Sequence, residues 1–417
     1  MLRIVRVKVL DDAPIHRDSS PHRDHWTLDP AVTFLNHGSF GATPRVVLER
    51  QTELRARMES GPVLFIAREL QAETDLARES LAEFLGAAAR DLVPVTNATT
   101  AVNAVLRSLY FNPGDELLST SHGYNACGNT LNFVADRAGA SVVVADIPFP
   151  LRSADEIVDA VMSCVTERTR FALLDHVTSS TAVVYPVERL ARELKSRGIA
   201  VMIDGAHAPG MLPLNLGELE AAGVDYYTGN CHKWMCAPKG AAFLWVKYAL
   251  QEGIRPAVIS HGANASTDKR TRFQLEFDWI GTQDPTAFLC IPDAIRCVGG
   301  LVPGGWDEVR AHNHTLVLAG RRLLLDALEI ESPVPDELIG SITSLPIWDG
   351  EAGDDIDAFS VDEFQGRIFA EQHIEVPIFF WPKPPRRLLR ISAQLYNSLA
   401  DYEALARVLR AEARVAR

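Results

Sequence analysis

The 417-residue sequence predicts an α/β protein, a wound and mostly parallel sheet flanked by helices, with a smaller α+β C-terminal domain. Three observations predict it. Short apolar runs alternate with helix-patterned segments between residues 92 and 246. Those runs are continuous in Val, Ile and Leu rather than alternating, the pattern of parallel strands buried on both faces. After about Pro292 the pattern changes to longer helices and a Pro-rich turn at Pro382, Pro384 and Pro385.

In chain order, Leu92-Val93-Pro94-Val95 opens a strand over 92–96, and the stripe of Ala101, Val102, Val105 and Leu106 makes 100–109 a helix. Leu117 and Leu118 centre a strand over 116–120, and Leu131 and Val134 lie on a helix over 126–135. Val142-Val143-Val144 gives a strand over 141–145; Ile157, Val158 and Val161 give a helix over 154–165. Phe171 to Leu174 form the strand 170–175, and Leu190, Ala191 and Leu194 the apolar stripe of a helix over 187–197. The runs Val201-Met202-Ile203, Tyr226-Tyr227 and Phe243-Leu244-Trp245-Val246 give strands over 200–203, 225–228 and 241–246. No internal repeat or low-complexity segment interrupts the series.

Bulk composition excludes several function classes. The chain is 47% hydrophobic, enough to bury a large core, and its length suits two or three folding units. A formal net charge of -13 disfavours non-specific binding to nucleic acid or an anionic membrane. Six cysteines, Cys127, Cys164, Cys231, Cys236, Cys290 and Cys297, lack paired zinc spacing, which points to a reduced, cytoplasmic protein without a structural metal. No apolar run approaches the ~20 residues of a membrane span. The N-terminal stretch is broken by Arg3, Arg6 and Lys8 and lacks a signal-peptide core; residues 1–25, with Pro14 and Pro21, are expected to form a polar tail.

The chemistry is concentrated in two segments. Asp204 closes the run Val201-Met202-Ile203, and Lys233 lies 29 positions later in Asn230-Cys231-His232-Lys233-Trp234. A strand-ending carboxylate can hold the protonated nitrogen of a pyridine ring, and a partly desolvated lysine can form a Schiff base with a carbonyl. Together they meet the needs of pyridoxal phosphate; singly, such residues serve as caps and turns.

Three further clusters fall at strand ends, where open α/β sheets bind ligands. Thr96-Asn97-Ala98-Thr99-Thr100 runs from a strand into a helix, so backbone N–H groups and the helix dipole face an anion there, or the segment simply caps the helix. His122-Gly123-Tyr124-Asn125 follows the strand ending at Thr120; a ring here can lie over a planar cofactor, or pack at a helix start. His176, Thr178 and Ser179 follow the strand ending at Asp175, with hydroxyls that can reach the cofactor's phenolic oxygen or form a polar turn.

These motifs, with Asn36-His37-Gly38-Ser39-Phe40-Gly41, Asp204-Gly205-Ala206-His207-Ala208-Pro209-Gly210, Pro238-Lys239-Gly240 and Arg390-Ile391-Ser392, resemble the class V aminotransferase group of fold-type I pyridoxal phosphate enzymes, most closely its isopenicillin N epimerase branch. The resemblance covers about residues 30–300 well and 360–400 loosely. It implies a large cofactor-binding domain over 46–292 and a small domain built from 26–45 and 293–417. It further implies that Lys233 carries the cofactor and moves the Cα proton, while Asp204 holds the pyridine nitrogen. Asn97, Ala98 and Thr99 would cradle the phosphate with His232 and Asn230. Tyr124 would stack on the ring, and His207 would lie near the phenolic oxygen. Arg390 would bind the substrate α-carboxylate as a bidentate fork, and Asn36 and His37 would line the substrate entrance. Thr282 would reach the phosphate of a partner subunit in a homodimer with shared sites.

The reaction is less specified, since the same cofactor supports racemisation, transamination, decarboxylation and β-elimination. A cysteine desulfurase needs a nucleophilic cysteine in the C-terminal third, and no cysteine follows Cys297. The leading expectation is an epimerase acting at Cα of an amino-acid substrate, with Tyr124 as second acid/base if its pKa is lowered. The alternatives are a C–S lyase, which needs only Lys233 and a leaving thiol, and an aminotransferase. A silent cofactor-binding scaffold is disfavoured by the presence of both Lys233 and Asp204. A dinucleotide-binding oxidoreductase is disfavoured by the lack of G-x-G-x-x-G.

Overall fold

The computed structural model describes residues 20–268, 270–351 and 361–416. The expected polar tail 1–25 lies outside the described residues up to position 19. Ser20 is buried, its hydroxyl donating to the Leu395 carbonyl, and Arg23–His25 form a single 3-10 turn.

A short strand β1 (Thr33–Phe34) precedes the central sheet, whose strands are β2 (Leu92–Val95), β3 (Glu116–Thr120), β4 (Ser141–Ala145), β5 (Thr169–Asp175), β6 (Ala200–Asp204), β7 (Tyr226–Asn230) and β8 (Ala242–Val246). All seven expected strands are present, with ends shifted by no more than two residues. Helices Ala98–Ser108, Asn125–Ala138, Ala154–Ser163 and Val187–Ser196 replace the four expected ones with similar small shifts.

The order across the sheet is β2-β8-β7-β6-β5-β3-β4. Every pairing is parallel except the two that β8 makes with β7 and β2. The reversal has a simple cause. Only residues 231–241 connect β7 to β8, and a parallel return needs a crossover of about a dozen residues or more, generally a helix. The chain instead turns back beside the strand it has left, and Lys233 sits in that turn. Because β2 is antiparallel to β8, it runs with the parallel strands. The ends of β2, β3, β5, β6 and β7 therefore open on one edge of the sheet, the ligand-binding edge of wound folds.

The C-terminal part carries an antiparallel sheet of β9 (Ile342–Ile347), β11 (Ile378–Phe380) and β12 (Arg387–Ser392), in the order β11-β12-β9, while β10 (Ile374–Glu375) pairs with β1 in parallel. Helix Gly305–Leu328 packs beside this sheet, and helix Leu399–Ala416 packs against that helix, its Tyr402 hydroxyl donating to the Ser392 carbonyl at 2.7 Å. Arg390 pairs with Ser344 across β12 and β9, and the Ser344 hydroxyl donates to the Ser180 carbonyl at 2.7 Å. That contact turns this face of the small sheet toward the loop after β5. The architecture is the expected wound sheet with a smaller, antiparallel companion. Among the described residues no helix is long and apolar enough to cross a membrane.

Candidate active site

Lys233 is held in a turn shaped by both ends of the chain. The His232 N–H donates to Ala241 O at 3.1 Å and the Cys236 N–H to Lys233 O at 3.0 Å, which closes the loop between β7 and β8. Two glycines press against it. Gly41 (φ 70°) lies where a Cβ would collide with the His232 carbonyl, and a Cβ on Gly210 (φ 85°) would sit 2.6 Å from the Trp234 carbonyl carbon. Both positive φ values favour glycine, so sterics and backbone geometry agree.

The Lys233 amine reaches His207 Nε2 at 3.0 Å. The other ring nitrogen, Nδ1, faces the Trp234 indole N–H at 3.4 Å, a group that can only donate. His207 Nδ1 therefore accepts, its proton lies on Nε2, and that N–H needs a lone pair on the lysine. The electrostatics agree. Burial, reinforced by the Arg390 charge and opposed by Asp204, brings the Lys233 amine down to about 7, and burial with the Lys233 charge holds His207 neutral. The lysine is poised as a nucleophile and base.

Asp204 ends β6 in a buried position. Its Oδ1 accepts the Ala206 N–H at 3.0 Å and its Oδ2 accepts the Cys127 thiol at 3.2 Å. Asp175 lies beside it as the register partner at the end of β5, also buried. Burial raises both carboxyls, and for Asp175 the neighbouring Asp204 charge adds to it. Sequence reasoning missed Asp175, although the signal was present: two parallel strands that both end in Asp bring the two side chains together. The carboxylates border a cavity of about 190 Å³ that also includes Thr120, Tyr124 and Cys127. Tyr124, 46% exposed, starts the helix Asn125–Ala138, and its phenol is pushed up by burial and by the nearby Cys127 and Asp204.

The expected phosphate cradle is modified at Ala98. Asn97 caps its helix through Oδ1 to the Thr100 N–H at 2.8 Å. The Ala98 N–H is already donated to Asn230 Oδ1 at 2.9 Å, so Asn230 fastens β7 to the helix start instead of leaving that donor free. Thr99 follows in the first turn, half-buried. His232 donates from Nδ1 to Ala241 O at 3.1 Å, and burial lowers it to about 4. Thr282 lies on an exposed segment.

Arg390 is 5% exposed, and among the described residues it meets no carboxylate. Its Nη1 donates to Ser179 O at 2.7 Å and approaches Ser179 Oγ at 3.3 Å; its Nη2 donates to Ser39 Oγ at 2.8 Å; its Nε is buried without a partner. Burial pulls the guanidinium down to about 10. A buried charge held only by neutral acceptors is a strong request for an anion. Ser39 was missed as an individual contact, although its motif was read.

Two expected positions, His37 and Thr178, need correction. His37 does not line an entrance: it is fully buried, accepting the Tyr396 hydroxyl on Nδ1 at 2.8 Å and donating from Nε2 to the Lys233 carbonyl at 3.0 Å. It braces the lysine turn from behind, and burial brings it down to about 3. Asn36, half-buried, donates to Glu375 and accepts from Ser39, next to Arg390. The Thr178 hydroxyl is taken up in its own turn, 2.7 Å from Thr181 Oγ1 and accepting the Val183 N–H at 2.8 Å, so it does not serve the phenolic oxygen.

An amine brought down to about 7, a buried strand-end carboxylate and an uncompensated guanidinium, gathered beside a helix N-terminus, fit pyridoxal phosphate and an amino-acid carboxylate. Comparison with known proteins agrees. The family profile described as Aminotransferase class-V matches residues 38–405. The isopenicillin N epimerase of Amycolatopsis lactamdurans is 36% identical over 93% of this chain and 97% of its own. A probable chloroplastic L-cysteine desulfhydrase of Arabidopsis thaliana is 30% identical over 90% and 82% respectively. In fold, the cysteine desulfurase CsdA of Escherichia coli superposes with a TM-score of 0.73 at 21% identity, over 94% of this chain and 97% of that one.

Proposed function

The chain belongs to the class V aminotransferase family and is an enzyme dependent on pyridoxal 5'-phosphate, and on that premise we propose that it removes and returns the Cα proton of an α-amino acid, inverting its configuration. The observation that carries this reading is the buried Arg390, without a carboxylate partner among the described residues, together with the Lys233 amine that burial brings down to about 7. When bound, the cofactor supplies an electron sink for the charge left at Cα. Arg390 binds the substrate carboxylate, held in place by Ser179 and Ser39. Lys233 Nζ takes the Cα proton, and His207 keeps that nitrogen oriented through the 3.0 Å contact. Asp204 holds the proton of the ring nitrogen, kept in position by Ala206 and Cys127. Asn97 and Thr99 at the helix start, with His232, receive the phosphate, and Thr282 serves a second copy of the chain in a shared-site homodimer.

Inversion needs a proton delivered to the face of Cα opposite Lys233. The Tyr124 phenol is raised rather than lowered, so near neutral pH it holds its proton and serves as the acid, and its exposure lets solvent replenish it. A raised phenol is also a weaker acid, and that favours a second reading. If Tyr124 does not deliver that proton, Lys233 alone suffices for loss of a β-thiol, a C–S lyase reaction in keeping with the desulfhydrase relative. Chiral analysis of the product separates the two. The wild-type protein is expected to give the inverted amino acid, while Tyr124→Phe exchanges the α-hydrogen with retained configuration and inverts at least about a hundredfold more slowly. Pyruvate, ammonia and a thiol from the wild-type protein, without inverted amino acid, would establish the lyase instead.

A further inference from the structure

We propose that Ser39 and Asn36 form a positioning relay, anchored on Glu375, that aims the Arg390 guanidinium at the substrate carboxylate; the proposal rests on the reading that Arg390 takes that carboxylate. The relay has a direction fixed by hydrogen-bond chemistry. A carboxylate offers only acceptors, so the Asn36 amide turns its Nδ2 to Glu375 Oε1, at 3.3 Å. That orientation leaves Asn36 Oδ1 facing Ser39, whose hydroxyl donates to it at 2.5 Å. With its only proton committed, Ser39 presents lone pairs, and Arg390 Nη2 donates to one of them at 2.8 Å.

The second arm of the guanidinium is held independently by the Ser179 carbonyl at 2.7 Å. Backbone geometry keeps the relay in register, because the Gly38 N–H donates to Ser392 Oγ at 3.0 Å, two residues along β12 from Arg390. Glu375 lies on β10, paired with β1 just before Asn36, so a single strand pairing sets the anchor and the relay together. The guanidinium is thus clamped at both Nη atoms by neutral acceptors, and none of these partners competes with an incoming carboxylate for its charge. Ser39 is a positioning residue: having no proton to give, it acts on the substrate only through Arg390.

The test uses the holoenzyme and two probes that cannot turn over because they lack an α-hydrogen, 2-aminoisobutyrate and its carboxamide, with binding followed by the cofactor absorbance. Ser39→Ala is expected to weaken 2-aminoisobutyrate about tenfold and to leave the carboxamide within about twofold, with Ser39→Thr restoring most of the loss. Equal weakening of both probes would mean a general packing role and would overturn the relay, as would unchanged binding of the acid. If Ser39→Ala does not hold the cofactor, Asn36→Ala, which keeps the hydroxyl but frees its proton, is put through the same comparison and judged by the same outcomes. Arg390→Lys is the control for the underlying reading. Unchanged binding of 2-aminoisobutyrate in that variant would remove the carboxylate assignment itself, whereas a large loss there with no loss in Ser39→Ala would remove only the relay.

Discussion

A Lys233→Ala protein is expected to bind pyridoxal phosphate only non-covalently and to exchange the substrate α-hydrogen at least about a thousandfold more slowly than wild type, the scale of a lost general base. The cause is local. Lys233 Nζ is the amine that burial, reinforced by Arg390, brings down to about 7, and it is the partner of His207 Nε2 at 3.0 Å. The same placement sets a pH dependence for the wild-type protein freed of cofactor. Below about 7 the amine is mostly protonated and has no lone pair for attack, so the rate of cofactor attachment rises as pH increases toward that value and levels off above it. Borohydride should fix the cofactor to wild type and not to the variant. Covalent attachment at another lysine in Lys233→Ala would place the chemistry elsewhere.

The second large effect is expected at Asp204. Asp204→Asn removes the negative charge proposed to face the ring nitrogen; its amide oxygen still accepts the Ala206 N–H, and its NH2 group turns to the Cys127 sulfur, which accepts in place of donating. Loss of one charged hydrogen bond, ~2–3 kcal/mol, corresponds to roughly two orders of magnitude in the rate of α-proton removal. Stability should move the other way. The folded-state pKa of Asp204 is raised by burial, so the folded protein binds the proton more readily than the unfolded chain. The ionised carboxylate therefore costs stability once pH passes the ordinary carboxylate range, and the neutral asparagine relieves that cost. The melting temperature of the cofactor-free variant should equal or exceed that of wild type at pH 7, while its exchange rate falls. A slow variant that is also markedly less stable would instead make Asp204 a structural residue.

The sheet and the two ends of the chemistry were legible because they depend on local pattern. Continuous apolar runs gave the strands, and an Asp closing one run with a Lys in the turn after the following strand marked two groups that the fold brings within electrostatic reach of each other. The antiparallel β8 was legible only in retrospect, from the short stretch 231–241. What stayed hidden depends on partners far away in sequence. Asn-His-Gly looks like exposed turn chemistry, yet His37 is buried because Tyr396 and the Lys233 carbonyl, 359 and 196 residues away, satisfy its two nitrogens. Ser39 is an ordinary turn serine until Arg390, 351 residues later, is folded against it. Asp175 needed the register of two parallel strands to reveal its pairing with Asp204. The phenol of Tyr124 could not be judged before its surroundings were known, and burial moved it opposite to the shift that a base would require.

Everything proposed for the site turns on Lys233 removing the α-proton of an amino acid held through Arg390. Proton NMR of the holoenzyme incubated in deuterium oxide with a panel of L-amino acids and cysteine conjugates tests it most directly. Loss of the Cα proton signal is expected for at least one member, at a rate abolished by Lys233→Ala and strongly reduced by Arg390→Lys. No exchange anywhere in the panel, or exchange that survives in Lys233→Ala, would contradict it.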